Sequence, residues 1–280
     1  MISRFAPAPT GYLHLGHVLN AVYVWRSAPR VILRIEDHDR QRSRADYDAA
    51  ILEDLAWLGF RWDGDVVRQS TRGDIYSRAL ERLRAQGLVY ACACSRRDLA
   101  ADPKAPPSAR RPGPSGPGSA YPGTCRDRGL ADGPGLTLRV RLEPSVERFV
   151  DLRLGPQEQR PYLQCGDVAI RDREGNWTYQ FAATVDDCEQ NITHVVRGED
   201  LLDSTGRQIQ LARLLGREEP PTFLHHPLIM KAAASAEGSG APILVKLSKS
   251  NRDTGVRELR ARGWTPEQVI NAATSSIIAP

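Results

Sequence analysis

Apolar positions along this chain follow two periods. A nearly continuous apolar run at Val31–Ile35 predicts a buried strand of the parallel type, and Ser3–Ala6 is expected to be a short strand before it. Between them, Val18, Leu19, Ala21, Val22 and Trp25 line one face of a helix. Ile51, Leu52, Leu55 and Leu58 recur at helical spacing, with Ser43 placed to cap that helix and Gly59 to end it. Another helix is predicted from Asp74 to Gln86, stopped by Gly87. Strand–helix–strand order in this half predicts an α/β fold with a doubly wound, Rossmann-type sheet.

The pattern then changes. From Leu136 to Tyr179 it is β-rich: Leu136–Leu142 alternates, and Asp172–Asn176 reads as a hairpin turn. Ser204–Leu215 returns to helical spacing and ends at Gly216. Thr265-Pro266-Glu267-Gln268 is a capping box opening a last helix. Pro103 to Gly123 holds seven of the 20 prolines and four glycines, a composition that buries too little apolar surface to fold alone, and it is expected to be a flexible loop. Ala232–Gly240 is expected to be a small-residue loop. No internal repeat is visible.

Composition narrows the classes. The 280 residues suffice for one large domain with an insertion. With 38 basic and 34 acidic residues the net charge is +4, which permits nucleic-acid binding without requiring it. No apolar run is long enough to span a membrane. The first motif begins by residue 4, which leaves no room for a signal peptide. Three of the five cysteines are grouped, favouring reduced thiols and a metal over disulfides. A cytoplasmic monomer is expected.

Two separated segments carry the chemistry. His14-Leu15-Gly16-His17 follows Pro9-Thr10-Gly11, and Lys246-Leu247-Ser248-Lys249-Ser250 lies near the other end. Imidazoles at a helix start and ammonium groups on a later loop are donors suited to charge developing on phosphate oxygens. Together they resemble the ATP-binding signatures of class I aminoacyl-tRNA synthetases. Arg4-Phe5-Ala6-Pro7-Ala8-Pro9-Thr10-Gly11, Leu33-Arg34-Ile35-Glu36-Asp37-His38-Asp39-Arg40 and Val195-Val196-Arg197-Gly198-Glu199-Asp200-Leu201-Leu202 extend the likeness to the glutamyl-tRNA synthetases, over residues 3 to about 255. Only 30 residues follow Ser250, so the chain is most similar to the short-form branch, the glutamyl-queuosine tRNA(Asp) synthetases, which have no anticodon-binding domain.

The resemblance implies a Rossmann-type catalytic core split by an insertion: residues 1–90, first half of the core; 91–190, a zinc-knuckle and β-rich insertion; 191–245, second half; and 246–280, the lysine loop and short helices. It implies ATP with Mg²⁺, L-glutamate and queuosine-bearing tRNA(Asp) as partners, and one structural Zn²⁺. His14, His17, Lys246 and Lys249 would be catalytic, with His14, Gly16, His17 and Lys249 at the ATP. Short-form relatives commonly weaken the second histidine position, whereas this chain keeps His17.

The glutamate pocket implied by the family comprises Arg4, the segment Phe5-Ala6-Pro7-Ala8, Glu36, Tyr179 and Arg197. Bidentate arginines suit carboxylates and Glu36 suits the ammonium. By resemblance Arg4 and Tyr179 lie towards the side-chain carboxylate and Arg197 towards the α-carboxylate. Ala8 stands where relatives usually carry serine, which implies one weaker contact. Cys92, Cys94, Tyr121 and Cys125 match the family's zinc ligands. The plainer readings are an ion pair for Arg197 with Glu199, strand packing for Tyr179, and unrelated free cysteines. Cys165 and Cys188 read as core residues, and Asp186-Asp187 as a supporting carboxylate pair. Arg96, Arg97, Arg110, Arg111, Arg126 and Arg128 suit either RNA phosphates or solvent. Against glutamate transfer to the modified base stand acceptor-end charging by a truncated glutamyl-tRNA synthetase, a small-molecule nucleotidyltransferase, and a non-catalytic zinc-stabilised RNA-binding module.

Overall fold

The computed structural model describes residues 1–95, 97–98, 120–233, 243–246 and 255–275. Strand β1 (Ile2–Phe5) pairs in parallel with β2 (Arg30–Ile35), and β2 with the short β3 (Val67–Arg68). Helices α1 (Leu15–Ser27) and α2 (Ala45–Trp57) make the two crossovers. Later in the chain, β9 (His194–Gly198) pairs in parallel with β10 (Thr222–His226). Thr193 joins the two groups: its N–H donates to the Ile2 carbonyl at 3.0 Å, and the Ile2 N–H donates to the Thr193 hydroxyl at 2.8 Å. The chain therefore runs outward one way from β1 and the other way from β9. Between those strands lies the switch point of a doubly wound sheet, where folds of this kind receive ligands in a crevice at the strands' C-terminal ends.

The two faces of this sheet differ. Phe5, Val31, Leu33, Ile35 and Val196 pack under α1 and α2, joined by Val256 and Leu259 of α7 (Val256–Ala261) and Val269 and Ala273 of α8 (Pro266–Ser275). The opposite face carries Val195 and Phe223 against Ile209 of α6 (Thr205–Leu214). At the C-terminal ends of the strands, this second face is charged.

Between β3 and β9 the chain builds a second layer. Helix α3 (Gly73–Ala85) leads to an antiparallel sheet of β4 (Val89–Cys92), β5 (Thr137–Val140) and β8 (Val168–Arg171). The hairpin β6 (Glu147–Asp151) and β7 (Gly155–Gln159), then α4 (Pro161–Cys165), precede β8. Helix α5 (Tyr179–Glu189) follows the Asp172–Asn176 turn, where the Asp172 N–H donates to the Asn176 carbonyl at 2.8 Å. Strand β11 (Met230–Ala233) pairs with β12 (Ile243–Lys246). Among the described residues no helix is long and apolar enough to cross a membrane.

Four expectations need correction. The cap of α2 is Arg44, without a side-chain bond, and the buried Ser43 hydroxyl has no partner, so Ser43 is not the cap. Strand β5 is buried at all four positions and does not alternate, because Arg139 lays its guanidinium 3.7 Å from the Tyr121 ring centroid and donates to the Asp167 carbonyl. Tyr179 opens helix α5 instead of ending a strand. Ala232 and Ala233 are strand, and the rest of the Ala232–Gly240 segment lies outside the described residues, as does most of the proline-rich segment.

Candidate active site

His14 is the N-cap of α1 and His17 its third residue; their rings lie 4.0 Å apart. The Gly16 N–H donates to His14 Nδ1 at 3.1 Å, and the His14 N–H donates to His17 Nδ1 at 3.1 Å. An Nδ1 that accepts a backbone proton leaves the neutral ring's own proton on Nε2. Both imidazoles therefore present Nε2–H donors at a helix N-terminus, which favours a phosphate there. Gly16 serves this arrangement directly, because a Cβ at that position would lie 2.9 Å from His14 Cε1. Gly255 bridges to His14, and the Val256 N–H donates to the Leu13 carbonyl at 2.9 Å, so the chain just after the lysine segment is tied to the histidine segment. Lys246 is the last residue of β12, opposite Met230, and Lys249 lies outside the described residues.

Arg4 projects from β1 and is buried. Its Nε donates to Asp187 at 3.0 Å and an Nη to the Val196 carbonyl at 3.3 Å. Arg34, wholly buried on the neighbouring strand, reaches the same Asp187 oxygen at 2.8 Å and Glu36 at 3.3 Å. Burial opposes the Arg34 charge, but Asp187, Asp186 and Glu36 outweigh it and hold the guanidinium firmly protonated. Burial likewise pushes Asp187 towards protonation, yet Arg4 and Arg34 draw it below the usual carboxylate range. Glu36 goes the other way: burial raises it, and Arg34 and His38 only partly offset that.

Asp186 is fully buried and accepts from Gln69 at 2.8 Å, Arg72 at 2.6 Å and the Tyr76 hydroxyl at 2.9 Å. The pair Asp186-Asp187 is thus the supporting carboxylate pair expected from the sequence.

Arg197, 3% exposed near the end of β9, donates to His225 Nε2 at 3.0 Å, Gln208 at 2.6 Å and the Thr205 hydroxyl at 2.7 Å. Burial and Arg4 depress its pKa. The expected alternative, pairing with Glu199, does not occur; Glu199 pairs with Arg153. Tyr179 is half-buried beside Arg197, and burial raises its hydroxyl pKa. Phe5 needs correction as a pocket side chain. It is 1% exposed, with its ring 5.5 Å from Trp25 on the helix-covered face, because adjacent strand residues point to opposite faces. Ala6, Pro7 and Ala8 continue the chain beyond β1, and the Pro7 carbonyl accepts the Glu36 N–H at 3.0 Å. Arg4, Glu36, Tyr179 and Arg197 are brought together on the charged face. His225, Asp151, Thr205 and Gln208 were not foreseen; no spacing rule joins Asp151 to a histidine 74 residues on.

Cys92, Cys94 and Cys125 hold their sulfurs within 4.8 Å of one another. The Cys94–Cys125 sulfurs are 3.6 Å apart, and Cys92 Sγ lies 3.4 Å from the Tyr121 hydroxyl. A tetrahedron with 2.3 Å zinc–sulfur arms has edges of about 3.8 Å, so the donor set fits the ion. The Cys125 N–H donates to the Tyr121 oxygen at 2.7 Å. Burial raises the Cys125 pKa, but the Ala93 N–H and donors from Cys94 and Tyr121 bring it down to about 7. Cys165 and Cys188 are partly buried and stand apart from this cluster.

The family model described as tRNA synthetases class I (E and Q), catalytic domain, matches residues 1–275. The glutamyl-Q tRNA(Asp) synthetase of Rhodobacter capsulatus is 40% identical over 285 residues, covering 96% of this chain and 98% of that protein. The protein of the same name from Bordetella bronchiseptica is 43% identical over 251 residues, covering 87% and 76%. Among solved structures, a glutamate tRNA ligase from Elizabethkingia meningosepticum, in complex with its amino acid, superposes with a TM-score of 0.74 at 27% identity. The match covers 98% of this chain but only 60% of that ligase.

Proposed function

The chain belongs to the catalytic-domain family of the class I glutamyl and glutaminyl tRNA synthetases, and from that premise we propose that it activates glutamate with ATP and transfers it to the queuosine base of tRNA(Asp). The observation that carries the reading is the 40% identity to a glutamyl-Q tRNA(Asp) synthetase over 98% of that protein's length, in a chain whose histidine pair and buried arginines suit the chemistry.

In the first step a carboxylate oxygen of glutamate attacks the α-phosphorus of ATP. The new oxygen–phosphorus bond replaces the bond to pyrophosphate, which leaves. The Nε2–H groups of His14 and His17 donate to phosphate oxygens as their charge grows. Lys246 and Lys249 are assigned to the same phosphates from the far side of the crevice. Mg²⁺ accompanying ATP supplies further positive charge there.

Arg197 takes one carboxylate of glutamate. Arg4, its charge shared with Asp187, and Tyr179 take the other, and Glu36 takes the ammonium. Burial makes the Glu36 carboxylate costly by itself, and an ammonium beside it offsets that cost. In the second step a hydroxyl of the RNA attacks the glutamyl carbonyl carbon and AMP leaves. Cys92, Cys94, Cys125 and Tyr121 hold one structural Zn²⁺ outside the reacting centre.

Amino-acid-dependent ATP–pyrophosphate exchange tests the activation step. Exchange is expected with glutamate and not with glutamine or aspartate. Exchange with none of them would refute the enzyme reading and leave the RNA-binding module.

A further inference from the structure

Among the described residues Arg197 is a buried cation with no close counter-ion, although Asp187 favours its charge from further away. Among the described residues no carboxylate lies within 4.0 Å of its guanidinium; it donates to neutral acceptors on His225, Gln208 and Thr205, with the Tyr179 hydroxyl also beside it. Arg4 and Arg34 differ, since both are paired with Asp187. A buried guanidinium without a close opposite charge is costly, and the charge it keeps is available to an incoming anion.

The acceptor on Nε is the informative one. His225 is fully buried, and its Nδ1 lies 2.7 Å from the Asp151 carboxylate, also fully buried. Asp151 is itself held by the backbone N–H groups of His225 at 2.9 Å, Arg153 at 3.0 Å and Leu154 at 2.9 Å. The Arg197 Nε–H can donate only to an unprotonated ring nitrogen. The His225 proton must then sit on Nδ1, pointing at Asp151. The Thr205 hydroxyl lies 3.2 Å from the same Nε2 and fixes the ring from another side. A carboxylate in the place of His225 would neutralise Arg197 and compete with substrate. A protonated imidazole would set donor against donor. Burial and the neighbouring Arg197 prevent protonation, bringing His225 down to about 4 although Asp151 pulls the other way.

We propose that Asp151 and His225 are positioning residues for the substrate's carboxylate: Asp151 fixes His225 as its Nδ1–H tautomer, and His225 aims the Arg197 fork without cancelling its charge. The inference rests on the assignment of Arg197 to the glutamate pocket.

The test compares wild type, His225→Leu and His225→Gln by glutamate-dependent pyrophosphate exchange. It is paired with nitrogen NMR of the wild-type imidazole. His225→Leu should raise the KM for glutamate about 10- to 100-fold, the range for losing one hydrogen bond to a charged group. The KM for ATP should change less than about twofold, since His225 does not touch the nucleotide site. His225→Gln, which keeps a neutral acceptor, should recover most of the loss. An unchanged glutamate KM in His225→Leu would overturn the proposal, as would equal damage to both KM values. If the variants do not fold, the wild-type spectrum decides: a neutral Nδ1–H ring from pH about 6 to 8 supports the assignment, and a charged or Nε2–H ring overturns it. Wild-type protein without glutamate-dependent exchange would defeat the functional reading instead, while the spectrum still judges the tautomer.

Discussion

At the residue scale, the two histidines do two jobs, and a substitution separates them. His17 accepts the N-cap N–H and offers its other nitrogen to phosphate. His17→Ala should cost about 1 kcal/mol of stability from the lost cap, read as a lower melting temperature. It should also slow pyrophosphate exchange about 100-fold, the usual cost of removing one preorganised donor. A rate loss no larger than the stability loss explains would contradict the donor role. His14, His17, Arg4 and Glu36 were legible in the sequence because each sits in a short contiguous motif, and helix or strand geometry alone fixes its direction. The partners of Arg197 were not. Thr205 and Gln208 lie on α6, His225 on β10 and, behind it, Asp151 on β6: three separate stretches that only the packing of α6 on the sheet and the β6–β10 pairing bring within bonding distance.

At the element scale, the α2–α7 junction carries an unusual charge. Asp54 on α2 is fully buried with neither carboxylate oxygen hydrogen-bonded, and the nearest cation, Arg257 on α7, is 3.7 Å away. Burial pushes Asp54 up to about 6, with Arg257 opposing and Glu53 assisting. A carboxyl whose folded pKa exceeds its unfolded value favours the folded state when protonated. Stability should therefore fall as pH rises from about 4 to about 6 and then level off. Asp54→Asn should be more stable than wild type by about 2 kcal/mol above pH 7, and the advantage should vanish near pH 4. Thermal melts across that range check it; a constant difference would contradict it.

The insertion has a tight contact at Gly166, which ends α4. Its φ is +63°, and a Cβ there would come within 2.1 Å of the Tyr121 carbonyl, whose N–H in turn bonds the Cys165 carbonyl at 2.9 Å. Gly166→Ala should displace Tyr121 and reduce zinc below one ion per chain, measured on freshly purified protein. Full zinc content would show that Tyr121 is not needed in the knuckle. The positions of β2 and of helices α1, α2 and α3 were readable from apolar period and glycine stops, whereas β9 and β10 were not read that way. The face of β5 was not, because a buried arginine over a tyrosine ring mimics a solvent-facing position in sequence.

At the scale of the whole molecule, the doubly wound sheet gathers the charged side chains at one place: the switch point at the C-terminal ends of β1 and β9. Arg4 arrives from one strand, Arg197 from the other, and the His14–His17 helix begins at its rim. Pattern and motif together conveyed this architecture, since consecutive βαβ units leave few topologies open. They did not reveal which end of a tRNA the switch point receives. That is decided by the position of the labelled glutamate. Queuosine-bearing tRNA(Asp) would be incubated with protein, ATP and labelled glutamate, digested to nucleosides under conditions that preserve the ester, and resolved by mass spectrometry. The label is predicted on the queuosine nucleoside; label on the 3′-terminal adenosine would contradict the account.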